Sequence, residues 1–92
     1  MNNTGNIKVY VDVRASFAPD GRLTPEQIKW EDGTIYEIDK VLDVRQGFAA
    51  RAGGQGDRYT IMVRGRQSNL FFERSTERSG RNLGRWFVER RG

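Results

Sequence analysis

Ile28-Lys29-Trp30-Glu31-Asp32-Gly33-Thr34-Ile35-Tyr36-Glu37-Ile38-Asp39-Lys40-Val41-Leu42-Asp43-Val44 is the stretch that decides the fold class. Its punctuation is Glu31-Asp32-Gly33. A two-residue Asp-Gly turn pairs Trp30 with Ile35, which puts Ile28 and Trp30 on one face and Tyr36 and Ile38 on the other. A three-residue loop, a type I turn closed by a left-handed Gly33, pairs Trp30 with Thr34 and Ile28 with Tyr36. All four apolar residues then share a face. A slip of one residue sends a strand's side chains to the opposite side of the sheet, so the register that gathers the apolar residues wins. The stretch therefore reads as a β-hairpin with a long second strand. Along that strand Tyr36, Ile38, Leu42 and Val44 point inward. Lys40 falls where an apolar residue belongs and Val41 points the other way, so a bulge or bend is expected near Asp39-Lys40.

The flanking sequence is built the same way. Ile7, Val9, Val11, Val13, Ala15 and Phe17 alternate with polar residues, the period of a half-buried strand. Its eleven residues make it long enough to bend and serve both sides of a barrel. Pro19-Asp20-Gly21 supplies a second three-residue loop, pairing Ala18 with Arg22 and Phe17 with Leu23. The return strand is expected to end near Thr24, with Pro25 stopping the pairing or marking an edge. Gln46 to Asp57, with four glycines, reads as a mobile loop in which 48–52 can form one helical turn. Tyr59, Ile61 and Val63 alternate again. A turn at Gly65-Arg66 pairs Val63 with Ser68, Ile61 with Leu70 and Tyr59 with Phe72. Glu73 to Gly84 is a polar loop or hairpin tip, and residues 85–90 form a last strand with Trp86 and Val88 inward. The expected architecture is all-β: a small antiparallel barrel of five or six strands over residues 7–90, SH3-like, with an OB-like barrel as the alternative, preceded by a flexible tail at 1–6.

Composition bounds function. Ninety-two residues make one domain with a modest core. The chain has neither Cys nor His, which excludes disulfides, Cys/His zinc sites and thiol or imidazole catalysis. No apolar run is long enough to span a bilayer as a helix, and the N-terminus lacks the pattern of a secretory signal. A cytoplasmic location is expected. Charge is split: residues 1–44 carry five Lys/Arg and eight Asp/Glu, a net of −3, and residues 45–92 carry eleven Arg and four Asp/Glu, a net of +7. Thirteen of the sixteen basic residues are Arg, whose planar fork suits phosphate and stacks on bases.

A catalytic reading finds little. Asp12, Glu37, Asp39 and Asp43 fall on strand positions expected to face water among Lys and Arg, where ion pairs are the ordinary outcome. No cofactor or metal is implied. Ser68, Ser75, Thr76 and Ser79 have no His to act as base. Gly53-Gly54-Gln55-Gly56 lacks the Gly-Lys-Ser/Thr ending of a phosphate-binding loop. The binding reading is stronger. Arg64 and Arg66 flank one turn, Arg51 and Arg58 border the glycine loop, and Arg74, Arg78, Arg81 and Arg85 border the last loop. Tyr10, Phe71 and Phe87 lie off the main apolar parity. Exposed aromatics ringed by Arg are how single-stranded nucleic acid is bound. The alternative for the same aromatics is a second small core, with Phe71 packed against Phe87 and Met62. At the level of function these residues point to a non-enzymatic module that contacts nucleic acid or a nucleic-acid enzyme. The competing reading is a protein-interaction module using a barrel groove or an edge strand.

The spaced pattern Trp30-x-x-Gly33-x-x-Tyr36-x-Ile38-x-x-Val41-Leu42-x-x-Arg45, Arg58-Tyr59, Leu70-Phe71-x-Glu73 and Gly84-x-Trp86-x-x-x-Arg90 resembles small uncharacterised bacterial proteins common among clostridial Firmicutes. From Ile28 to Arg90 the layout is also similar to a domain of unknown function encoded beside Y-family DNA polymerases. The resemblance implies a bacterial cytosolic module associated with DNA repair, with a translesion polymerase as one partner.

Overall fold

The central hairpin forms in the computed structural model as the apolar pairing requires. Trp30 N–H donates to the Thr34 carbonyl at 2.8 Å, Ile28 pairs with Tyr36, and Gly33 sits at φ +90°. The Asp32 carboxylate accepts from Thr34 N–H at 2.9 Å, which closes the loop and holds its carboxyl below the usual range. The structure describes residues 6–49, 55–76, 80 and 82–91.

Seven strands appear: β1 (Asn6–Phe17), β2 (Leu23–Lys29), β3 (Ile35–Glu37), β4 (Lys40–Ala49), β5 (Gln55–Val63), β6 (Arg66–Arg74) and β7 (Gly84–Arg91). They form one antiparallel sheet in the order β3-β2-β1-β7-β6-β5-β4, curled into a half-barrel. Two features produce the curl. The long β1 pairs with β7 through Asn6–Val11 and with β2 through Asp12–Phe17, so it belongs to both halves. At the other corner β3 and β4 are opposite edges of the sheet, yet only Ile38 and Asp39 separate them. Ile38 N–H donates to the Glu26 carbonyl and Asp39 N–H to the Met62 carbonyl, so two consecutive residues tie the two ends together. The bend expected near Asp39-Lys40 is this corner. It divides the long second strand in two, which gives seven strands where five or six were expected.

The concave face holds the main core. Ile28, Tyr59, Ile61, Leu70, Phe72 and Trp86 are buried, with Val11, Val13, Tyr36, Ile38, Val41 and Val88 packed against them. Trp86 is the hub, its ring 4.8 Å from Phe72 and 5.2 Å from Tyr59. Aromatic pairs at these separations add roughly 0.5–1.5 kcal/mol each beyond area burial.

Five local expectations are corrected. Pro25 does not stop β2: it is fully buried, opposite Ala15, beside a register shift at Arg14/Ala15 that accommodates a residue without an N–H. The β5–β6 turn is Arg64-Gly65, not Gly65-Arg66. Val63 pairs with Arg66 and Tyr59 with Leu70, because both turn residues take positive φ (+50° and +76°), the primed turn that matches strand twist. A bulge at Leu42 keeps Val41 and Val44 on the core side and leaves Leu42 exposed. The glycine stretch is largely strand, β4 running to Ala49 and β5 starting at Gln55, with Gly47 (φ +61°) at a second irregularity; positions 50–52 of the expected helical turn lie outside the described residues. Asn6, assigned to the tail, already belongs to β1, and residues 1–5 lie outside the described residues.

Candidate binding site

Two surfaces collect the candidate residues. The first is the convex face. Strand register sets Tyr10, Phe87, Phe71, Arg58 and Arg45 side by side in one row across β1, β7, β6, β5 and β4. The sequence grouped four of these. The row is not an open platform, however. Phe71 and Phe87 are 1% and 0% exposed and stack at 5.0 Å with their planes 7° apart. They form the second small core and present no face to a base. The sheet buries both sides of β6 and β7, so parity alone could not say which outcome held.

Polar residues frame this second core. The Lys8 ammonium lies 4.9 Å above the Phe87 ring. The Glu73 carboxylate accepts from Lys8 Nζ at 2.8 Å, from Tyr10 OH at 2.9 Å and from Arg85 Nη2 at 3.1 Å. Arg85 stacks 4.0 Å over the Tyr10 ring. Foremost the hydrogen bond from Lys8, helped by the one from Tyr10, holds the Glu73 carboxyl below the usual range, and the same contact raises Lys8. Tyr10 alone of the three aromatics stays substantially exposed, at 42%.

The second surface is the concave mouth bounded by the β1–β2 turn, by β4 and β5, and by Ser75 and Leu83 of the β6–β7 connection. A cleft of about 490 Å³ opens there. Its floor is Tyr59, Phe72 and Leu23, and its lips are Phe17, Val44 and Leu83, which are 59%, 45% and 61% exposed. Tyr59 OH donates to the Leu23 carbonyl at 3.0 Å, so the floor's one phenol is satisfied; burial, then the nearby Asp57, raises its pKa. Arg22 and Arg74 stand at the rim, each beside a carboxylate. Arg22 pairs with Asp20 at 3.0 Å. Arg74 donates through Nε and Nη2 to Asp57 Oδ2, and Asp57 Oδ1 also accepts from Gly47 N–H at 3.1 Å, which joins β4, β5 and β6.

The arginines do not converge. Arg64 and Arg66 lie at the far end of the half-barrel, where Arg64 sits 4.7 Å over the Tyr36 ring. A second opening of about 370 Å³ there is lined by Trp30, Tyr36, Ile61 and Val88 and spanned by an Arg90–Glu31 ion pair at 2.9 Å. Arg58 lies 4.0 Å from Asp43, which also pairs with Arg45 at 3.2 Å. Arg51, Arg78 and Arg81 lie outside the described residues. Asp12, Glu37, Asp39 and Asp43 are not brought together, and no group of three or more acidic residues is placed to hold a metal among the described residues.

Phe17, Val44 and Leu83 were not singled out as site residues. Phe17 and Val44 have inward parity and are exposed only because the barrel opens where they stand. Leu83 carried a legible signal, since it is the one large apolar residue in the polar run Glu73 to Gly84. Comparison of the chain with protein-family models, with characterised proteins and with solved structures finds no match.

Proposed function

We propose that the protein is a non-enzymatic binding module that receives an apolar segment of a protein partner in the loop-end cleft. One observation carries this reading: Phe17 of β1, Val44 of β4 and Leu83 of the β6–β7 connection, large apolar side chains from three separate places in the chain, remain exposed around a common apolar floor. A contiguous apolar concavity with a few polar groups at its rim is the usual form of a recognition site. The bent β1 and the β3–β4 corner favour the SH3-like type of barrel over the OB-like type, and grooves between barrel loops suit extended peptides.

The nucleic-acid reading has less support. Its aromatic pair is buried, and Arg74 and Arg85 each already face a carboxylate. What favours it is the net +7 of residues 45–92 and the exposed Tyr10–Arg85 stack. The resemblance of the sequence layout to the polymerase-associated domain makes a translesion polymerase one candidate partner, in the cytoplasm of a bacterial cell.

Selection of phage-displayed random 12-residue peptides on the purified protein tests the proposal. Enriched sequences sharing an apolar anchor, with enrichment lost on a Phe17→Ser/Leu83→Ser double variant, are expected. Enrichment that survives those two substitutions would remove the cleft as the site.

A further inference from the structure

A polar cavity of about 570 Å³ abuts the apolar cleft on the other side of the β6–β7 hairpin base. Glu73, Ser75, Thr76, Asn82 and Arg85 line it, and Arg74 and Ser75 line both cavities. We propose that this cavity is an anion subsite, and that the segment bound in the cleft carries an acidic side chain, Asp or Glu, close to its apolar anchor. The inference rests on the cleft reading and adds to it the charge of the partner.

Three observations carry it. The first is the way Arg85 is held. Its Nη2 donates to Glu73 and to Tyr10 OH at 3.1 and 3.2 Å, and the guanidinium rests on the Tyr10 ring. No described residue accepts from its Nε or Nη1. A guanidinium has five N–H donors, so one edge is anchored and another still faces outward. An arginine fixed in this way binds a carboxylate without first losing rotamer freedom.

The second is local charge. Lys8 and Arg85 share the single carboxylate Glu73, while Arg74 at the hairpin base is matched by Asp57, so one positive charge is left in excess. The cavity therefore favours an anion. The third is its lining. The Thr76 hydroxyl and the Asn82 amide supply neutral donors around the arginine, whereas the cleft next door offers apolar walls. Two adjoining cavities of opposite chemistry with a shared wall match a partner whose apolar and acidic side chains are near neighbours in sequence.

The test uses the same peptide selection, run in parallel on the wild type and on Arg85→Gln. Arg85 is exposed, and surface substitutions of this kind change stability by roughly 0.5 kcal/mol or less; a urea melt of the variant confirms that it is folded. On the wild type, Asp or Glu should be enriched at least threefold within four positions of the apolar anchor. On Arg85→Gln the anchor should remain and the acidic enrichment should disappear. A wild-type pool with an apolar anchor and no acidic bias overturns this inference and leaves the cleft reading standing. An acidic bias that persists unchanged on Arg85→Gln also overturns it. A pool with no apolar anchor overturns the cleft reading and this inference together.

Discussion

Gly84 begins β7 between the two cavities, and replacing it by alanine tests the geometry on which both depend. It sits at φ +154°, opposite Arg74. A Cβ there would overlap the Glu73 carbonyl oxygen and lie 2.7 Å from Phe72 Cζ and 3.1 Å from Arg74 Cα. Two of these three atoms are backbone and cannot rotate away. Overpacking of this kind costs roughly 1–3 kcal/mol. A left-handed conformation in a residue with a Cβ costs roughly 1–2 kcal/mol more. Gly33 is the control: its φ is +90°, and an added Cβ meets nothing within 4 Å. Gly33→Ala should therefore show the backbone cost alone. Total stability for a chain this size is about 5–14 kcal/mol. With a urea slope near 1 kcal/mol/M, Gly84→Ala should lower the midpoint by roughly 2 M or more and Gly33→Ala by roughly 1–2 M. Urea denaturation followed by tryptophan fluorescence reads both. If Gly84→Ala falls no further than Gly33→Ala, the close approach of β7 to β6 is wrong, and so are the cavity walls built on it.

Phe87→Ala should cost about 3–5 kcal/mol in the same assay, because the ring is fully buried on the convex face. A loss under about 1 kcal/mol would mean that the second core is not formed. Glu73 has its folded pKa lowered, so its stabilisation is complete above the unfolded carboxyl value near 4.5 and fades as pH falls through the lower folded value. Acid titration of wild type and Glu73→Gln should show the wild type losing more stability below about pH 4.5; parallel curves would contradict the hub. Phe17→Ser should change stability by under about 0.5 kcal/mol while abolishing peptide capture, since the side chain is exposed at the lip. Single-stranded oligonucleotides should bind only weakly, with affinity falling steeply between low and moderate salt and with no response to Phe17→Ser. Tight binding at moderate salt would restore the nucleic-acid reading.

The hairpins were legible because their turns and their apolar pairs agree. At Gly33 and Gly21 the observed pairings are those that keep Ile28 with Tyr36 and Phe17 with Leu23. The Gly65 turn shows the limit of that test. Pairing Val63 with Ser68 or with Arg66 differs by two residues, so both put Tyr59 and Ile61 on the face of Leu70 and Phe72. Side-chain parity repeats every two residues, and only turn stereochemistry separates the two registers. The corner at Ile38-Asp39 was visible as a break in pattern at Lys40, whereas the bulge at Leu42 beyond it, which puts Val41 inward in place of Leu42 and returns Val44 to the core side, was not. The candidate site was less legible still. Whether Phe71 and Phe87 are a platform or a core depends on cover from other strands, and whether Phe17 is core or lip depends on where the barrel opens. Neither is a property of local sequence. Charge counts carry no positions: arginines clustered in sequence separate to two ends of the half-barrel and pair with Asp43, Asp57 and Glu73.

The most direct test of the central claim is a two-dimensional amide NMR titration of the protein with a selected peptide. Binding in the loop-end cleft predicts shifts at Phe17, Leu23, Val44, Tyr59 and Leu83, with Trp30, Tyr36 and Arg64 at the far opening unmoved. Shifts confined to that far opening, or to Tyr10 and its convex row, would contradict the assignment of the site.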